Sequence, residues 1–349
     1  MTDILLRRVG RAGRATLHRP EALNALSHEM CKALDSALIT WAADPAVDLV
    51  VIDAAGPKAF CAGGDIVDLY MQGTAGNFAF GQSFWRDEYR MNDRIGRFPK
   101  PVVVMIQGFC MGGGVGIACH ASHRIVTDST QIAMPECAIG LVPDVGGSAL
   151  LARAPGHLGA YLGMTGKRMG AADAIYAGFA DLFVPESNWP ALIATLCETG
   201  DVAAVGRANC PPPEPAALPA LQDQIDRHFG AAALETLSVS LATDDSEFAR
   251  TALKMLSRAA PLAAAVTLAM QQRLGAAPAL RDALELEYRV TFRAQSQTDF
   301  LEGIRALIID KDRTPRWRHT GVVPVTEIAA LLAPLGQDTL TFPTTTDTE

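Results

Sequence analysis

Two carboxylates, Glu136 and Asp144, stand in the run Met134-Pro-Glu-Cys-Ala-Ile-Gly-Leu-Val-Pro-Asp-Val-Gly-Gly147, which is otherwise apolar and punctuated by glycine and proline. A carboxylate with few polar neighbours tends to keep its proton or to bind something that compensates its charge, and active-site acids are made this way. Upstream lies Gly108-Phe-Cys-Met-Gly-Gly-Gly-Val-Gly116, just after the apolar run Val102–Ile106, so its glycines fall where a strand turns into a helix. A further glycine loop, Lys58-Ala-Phe-Cys-Ala-Gly-Gly-Asp-Ile66, follows the apolar run Leu49–Ile52. Backbone N–H groups in tight turns and at helix N-termini can converge on an oxygen that becomes negative in a transition state. Glycine suits such a position because it lets a ligand approach the backbone. Gly64 and Gly113, each following a strand, are the candidate pair. The competing readings are ordinary tight turns for the glycine loops and capping for Glu136 and Asp144.

Other chemistries find no support. There is no GxxxxGK[ST] phosphate loop, no complete dinucleotide fingerprint around Gly112–Gly116, and no GxSxG elbow; Ser148 has no evident base beside it. The seven cysteines are scattered without a CxxC pair and read as buried, reduced thiols. His120 and His123 lack acidic or thiol partners at ligand spacing, so no metal is expected. A net charge of -8 without a local Lys/Arg cluster argues against nucleic acid as a partner. No apolar run approaches the roughly twenty residues of a membrane span. The start, Met-Thr-Asp-Ile-Leu-Leu-Arg-Arg, has no apolar signal core, and a cytoplasmic location is expected.

These loops need elements to hold them. Residues 4–17 predict two short strands about a Val-Gly-Arg-Ala-Gly turn. Ser27 predicts an N-cap, followed at helical spacing by Met30, Leu34, Leu38 and Trp41. Leu49–Ile52 predicts a strand covered on both faces, and Asp65 can cap a short helix. A helix over 78–98, a strand over 101–107, a helix over 112–121 and strands over 124–128 and 131–134 complete a strand–loop–helix alternation. It predicts an α/β fold of stacked ββα units or a parallel sheet. Residues 146–199 read as mostly helical, with a short apolar segment over 180–184. Cys210-Pro-Pro-Pro-Glu-Pro215 is a stiff linker. Amphipathic helices are predicted near 218–229, 246–258, 262–274, 279–294 and 299–309. The expected organisation is a core over 1–200, a helical region over 201–337 and a loose tail over 338–349.

The three loops, with Phe84-Trp-Arg-Asp-Glu-Tyr-Arg-Met-Asn92 and Asp299-Phe-Leu-Glu-Gly-Ile-Arg-Ala-Leu-Ile-Ile-Asp-Lys-Asp312, resemble the crotonase (enoyl-CoA hydratase/isomerase) superfamily. Within it they are most similar to the 3-hydroxyisobutyryl-CoA hydrolase branch, and the likeness spans nearly the whole chain. The resemblance implies the crotonase fold, ββα repeats forming two roughly perpendicular sheets wrapped by helices, with a C-terminal helical region. It implies an acyl-CoA substrate, no separate cofactor, and a thioester oxygen held by the N–H groups of Gly64 and Gly113. Glu88, Glu136 and Asp144 match the family's acidic groups: Glu136 as base or nucleophile, Asp144 on the water or the substrate's hydroxyl, Glu88 on the acyl-pocket wall. Taken alone, Glu88 reads as a solvated helix-face charge amid Arg86, Asp87 and Arg90. The loop of Lys58, Ala62, Gly64, Asp65 and Ile66 is implied to bind CoA.

One departure points to the reaction. Hydratases of this kind carry a glutamate where this chain has Gly116, and Asp144 stands where they usually have glycine. Hydration across a double bond uses two carboxylates, so the swap turns the expectation towards thioester hydrolysis, a step of valine breakdown in this branch. A hydratase or isomerase, and a non-catalytic acyl-CoA-binding protein, are the alternatives. A homo-oligomer is left open.

Overall fold

Short apolar runs rich in valine and isoleucine become the strands of this molecule, and glycines mark where each strand gives way to a turn or helix. The computed structural model describes residues 2–343. Its strands are β1 (Ile4–Val9), β2 (Ala12–Leu17), β3 (Leu49–Ala54), β4 (Ala59–Cys61), β5 (Val102–Ile106), β6 (Phe109–Met111), β7 (His123–Val126), β8 (Gln131–Ala133) and β9 (Leu182–Phe183). Six form a mixed sheet of order β1-β2-β3-β5-β7-β9, in which only β1–β2 is antiparallel. The other three form a parallel sheet, β4-β6-β8. Two sheets and a set of C-terminal helices make the α/β fold expected from the sequence.

The chain divides into two units that alternate along the sequence. One holds the residues up to Gly64, Asp87–Ala133 and Arg168–Ala217; the other holds Asp65–Arg86, Met134–Lys167 and the residues from Leu218 onward. This is a different division from a linear one at residue 200. The first unit contains both sheets. Its core joins Leu49, Val51, Val103, Met105 and Ile125 of the large sheet to Trp189, Leu192 and Leu196 of helix Trp189–Thr199. All residues of β5 are buried, as a parallel strand covered on both faces requires. Helix His28–Ala43 starts where Ser27 predicts, with the Ser27 hydroxyl accepting the Met30 N–H at 3.2 Å.

The second unit is helical. Its core gathers Val142 with Leu262, Val266 and Met270 of helix Pro261–Leu274, and Leu286 and Val290 of helix Leu280–Gln297. Asp65 occupies the N-cap position of helix Ile66–Thr74. The helix predicted over 299–309 is an α-helix, Phe300–Ile304, that continues as a π-helical turn, Arg305–Ile309.

Several short elements escaped the sequence reading, among them strands β4 and β6 and helices Ala203–Ala208, Leu234–Ala242 and Val325–Leu331. Strands β4 and β6 have three residues each, too few to display an alternation, and both lie inside glycine loops. Helix Leu234–Ala242 follows Gly230 and three alanines, a start without a capping side chain. Of the tail expected to be loose over 338–349, residues 344–349 lie outside the described ones. In the described stretch 338–343, Leu340 is buried, and the Phe342 ring stacks under the Arg281 guanidinium at 4.8 Å.

Candidate active site

The two glycine loops and the helix of Glu88 meet in the first unit. Strand β4 runs into Gly63 and Gly64, whose backbone is tied to Leu26 by a 2.8 Å bond from the Leu26 N–H to the Gly63 carbonyl. Strand β6, beside β4, runs through Gly112 into the short helix Gly113–Ala118. Gly113 is so crowded that a Cβ there would come within 3.1 Å of the Gly64 nitrogen and 2.7 Å of Glu88 Oε1. Parallel pairing of two strands therefore brings the Gly64 amide, the start of the Gly113 helix and one carboxylate to a single point. Close approach requires glycine at 113, and the two loops lie near enough for the proposal that their N–H groups share one oxygen.

Glu88 belongs to helix Phe78–Gly96 and is buried, 2% exposed, so the reading of it as a solvated charge fails. The helix is fastened from helix His28–Ala43 by Arg94 to Asp35 at 2.6 Å and by His28 to Asp87 at 2.6 Å. Burial, with the Glu88 charge adding to it, pushes the Cys61 thiol up to about 12. Cys61 is thus an inert neighbour of the site rather than a thiolate nucleophile.

Lys58 is exposed on the turn between β3 and β4, and Ala62, Gly64, Asp65 and Ile66 are partly exposed along the same loop. A cavity of about 250 Å³ beside Lys58 is lined by Pro20, Leu23, Asn24, Ala55 and Pro57 among others. Asn24, which sequence reasoning missed, shapes it: its amide donates to the carbonyls of Ala55 and Ala59, both at 2.9 Å.

In the second unit Glu136 opens the 3-10 turn Glu136–Ile139, and both Glu136 and Asp144 are buried, each 5% exposed. Their loop is anchored at several points. The Ala260 N–H donates to the Cys137 carbonyl at 2.8 Å, Cys137 Sγ lies 3.3 Å from Thr267 Oγ1, and Val142 enters the core between the carboxylates in sequence. Burial pushes the Cys137 thiol up to about 12, with the Glu136 charge adding to it.

Immediately after Asp144 the backbone turns left-handed twice, at Val145 (φ 53°) and Gly146 (φ 77°). A β-branched residue in that region is strained and persists only when its surroundings over-determine it. The restraint is a residue the sequence reading passed over. Glu287, fully buried on helix Leu280–Gln297, accepts the Gly146 N–H at 2.7 Å, the Ser148 N–H at 3.0 Å and the Ser148 hydroxyl. Burial pushes its carboxyl up to about 8, the Asp144 charge adds to the rise, and the Ser148 and Gly146 hydrogen bonds oppose it. A glutamate in the otherwise apolar stripe Ala283, Leu284, Leu286, Tyr288, Val290 was the signal that could have found it.

Fold and loops together define an acyl-CoA enzyme of the crotonase type, and the chain belongs to the enoyl-CoA hydratase/isomerase family, whose model matches residues 12–331. Among its relatives is the mitochondrial 3-hydroxyisobutyryl-CoA hydrolase of Danio rerio, 38% identical, with 93% of this chain and 87% of that protein covered. A crystal structure described as an enoyl-CoA hydratase from Rhodobacter sphaeroides 2.4.1 is 60% identical, covers 98% of this chain and 100% of its own, and superposes with a TM-score of 0.95. Another, described as a carnitinyl-CoA dehydratase from Mycobacterium thermoresistibile, is 37% identical with a TM-score of 0.92, covering 98% of this chain and 99% of its own.

Proposed function

We propose that this protein is a 3-hydroxyisobutyryl-CoA hydrolase. The observation that carries the choice is the helix Gly113–Ala118, whose sequence Gly-Gly-Val-Gly-Ile-Ala has no ionisable side chain, with Gly116 buried in it. A hydratase of the resembled kind needs a second carboxylate there. Here the acidic groups are instead Glu136 and Asp144, on one anchored loop.

In the proposed reaction the N–H groups of Gly64 and Gly113 take the thioester oxygen as its negative charge develops. Water adds to the carbonyl carbon and the C–S bond breaks; the departing thiolate takes a proton, the one lost by that water or one from Asp144, to leave as CoA thiol beside the free acid. Glu136 takes the proton of that water, or attacks first to give an anhydride that water opens. Asp144 holds the water or the substrate's hydroxyl, and Glu88 hydrogen-bonds that hydroxyl from the acyl-pocket wall. Lys58 and its neighbouring loop would take the CoA end. Among the described residues no group of three or more His, Cys, Asp or Glu could hold a metal ion, and no added metal or nucleotide is needed in this reading.

Release of CoA thiol from 3-hydroxyisobutyryl-CoA, isobutyryl-CoA and crotonyl-CoA, with and without chelator, tests it. The hydroxylated ester should be the best substrate. Sites built to meet a substrate hydroxyl reject analogues lacking it by factors of roughly 10⁴ in favourable cases. Glu136→Gln should abolish turnover while CoA-ester binding persists. Equal kcat/KM for the hydroxylated and deoxy esters would show that the hydroxyl is not read. The 60% identity to a structure described as an enoyl-CoA hydratase favours a second reading, hydration. Robust hydration of crotonyl-CoA would establish that reading in place of the first.

A further inference from the structure

Glu287 has no part in the chemistry above, yet it is a fully buried carboxyl spending both oxygens on one turn. Nothing about helix stability asks for it: an apolar residue would suit that stripe better, since burying a carboxyl costs free energy unless its partners repay it. What its oxygens hold is the segment that follows Asp144. Oε2 accepts from the backbone N–H of Gly146, and Oε1 accepts from the backbone N–H and the hydroxyl of Ser148. Between Asp144 and these anchors stands Val145 at φ 53°, a conformation that relaxes to the ordinary region unless the backbone is held on its far side. On its near side the loop is held by Val142 in the core and by the Asp144 carbonyl, which accepts the Gly147 N–H at 2.7 Å.

We propose that Glu287 is a positioning residue for Asp144, fixing the strained Asp144–Ser148 turn from helix Leu280–Gln297 and setting, by its own protonation, how much negative charge the turn holds. The proposal rests on the reading of Asp144 as a group that acts on water or substrate.

The charge follows from the surroundings. Burial, with Asp144 adding, raises the Glu287 carboxyl to about 8, so at neutral pH it is mostly protonated and the turn carries the Asp144 charge nearly alone. Basic side chains on these and the surrounding helices have partners of their own. Arg153, on helix Gly147–Arg153, donates to the Pro278 carbonyl, and Arg273 of helix Pro261–Leu274 donates to the Leu332 carbonyl. On the helix of Glu287 itself, Arg289 pairs with Glu285, and Arg293 donates to backbone carbonyls; on helix Val325–Leu331, Glu327 pairs with His319. The charge that acts on Glu287 is that of Asp144. As pH rises through about 8, Glu287 ionises, and a second negative charge opposes the thiolate and carboxylate that hydrolysis creates. The rate should fall there.

The test compares the pH dependence of kcat for the full-length protein, Glu287→Gln and Ser148→Ala on 3-hydroxyisobutyryl-CoA. The native protein should lose activity above an inflection near 8. Ser148→Ala removes a bond that lowers the Glu287 value, so its inflection should move to higher pH while Glu287 remains in place. Glu287→Gln should erase the inflection and lower kcat by about tenfold or more, with KM nearly unchanged, because the lost interaction matters to the reacting state rather than to binding. If Glu287→Gln keeps the inflection, or if its kcat is unaltered, the proposal is overturned. A loss of kcat with the pH profile intact also overturns it, since that is what a merely structural role produces.

A second readout does not depend on the reaction. A carboxyl raised on folding leaves stability intact below its unfolded value of about 4.3, and the penalty builds until pH exceeds the folded value. Denaturant midpoints of the native protein should therefore carry a decline between those limits. Burial would still raise Glu287 in Asp144→Asn, but the lost Asp144 charge should move the upper end of the decline to lower pH, and Glu287→Gln should remove the decline. If no ester is hydrolysed but these shifts are seen, the proposed function fails and the coupling of the two carboxyls stands. If the decline is unmoved in Asp144→Asn, the coupling is overturned whatever the enzyme's substrate.

Discussion

A methyl group at position 113 is the smallest change that separates the proposed oxyanion hole from an ordinary turn. Its Cβ would lie 2.7 Å from Glu88 Oε1 and 3.1 Å from the Gly64 nitrogen, so either the carboxylate or the facing amide must move. Gly113→Ala should therefore lower kcat by roughly 10²-fold or more, the scale of losing one oxyanion donor, while the fold survives. Unaltered steady-state kinetics would remove Gly113 from the hole. At this scale much was legible in the sequence. Gly64, Gly113, Glu136 and Asp144 stand out because each breaks the local pattern: glycines where a strand should continue, acids in an apolar run. Glu88 was legible only through resemblance, since its neighbours in sequence are charged and its burial depends on how helix Phe78–Gly96 is turned. Glu287 was not found at all. It bonds a turn 141 residues away, and no local pattern encodes that pairing.

At the scale of elements, the acidic loop is a rigid piece because one apolar side chain is driven into helical packing midway along it. Val142 shares a core with Leu262, Val266, Leu286 and Val290, and it stands two residues before Asp144. Val142→Ala should cost about 1–3 kcal/mol through lost transfer energy and the space left behind. It should also reduce kcat, because the loop loses one of its anchors. Urea unfolding with parallel kinetics would check this; a stability loss with native kcat would show that Asp144 is held by the Glu287 side alone. Longer elements were read well from sequence because they carry many pattern positions, as in helix His28–Ala43, with its Ser27 cap, and strand β5. Strands β4 and β6 were not, although they carry the glycine donors. Three residues cannot show a period, and their pairing is decided by register with β8 rather than by local preference.

At the scale of the whole molecule, the order of segments along the chain matters as much as their packing. Helix Ile66–Thr74 is tied to helix Leu280–Gln297 by the Gln295 amide, which donates to the Leu69 carbonyl at 2.6 Å across 226 residues. The Asp144 turn waits in the same way for Glu287. A ribosome adding roughly 5–20 residues per second needs about 7–28 s to cover the 141 residues from Gly146 to its partner. For that time the growing polypeptide carries an apolar loop, Leu-Val-Pro-Asp-Val, and a strained valine with nothing to hold them. Arrested nascent chains ending before Leu280 should be cut by protease within 134–148, and chains released at full length should resist. Equal resistance in both would mean that the loop closes without its late partners. Birth of this protein thus has a vulnerable interval written into the order of its residues, in which a chaperone that grips short hydrophobic stretches would find its hold on the loop that carries Asp144.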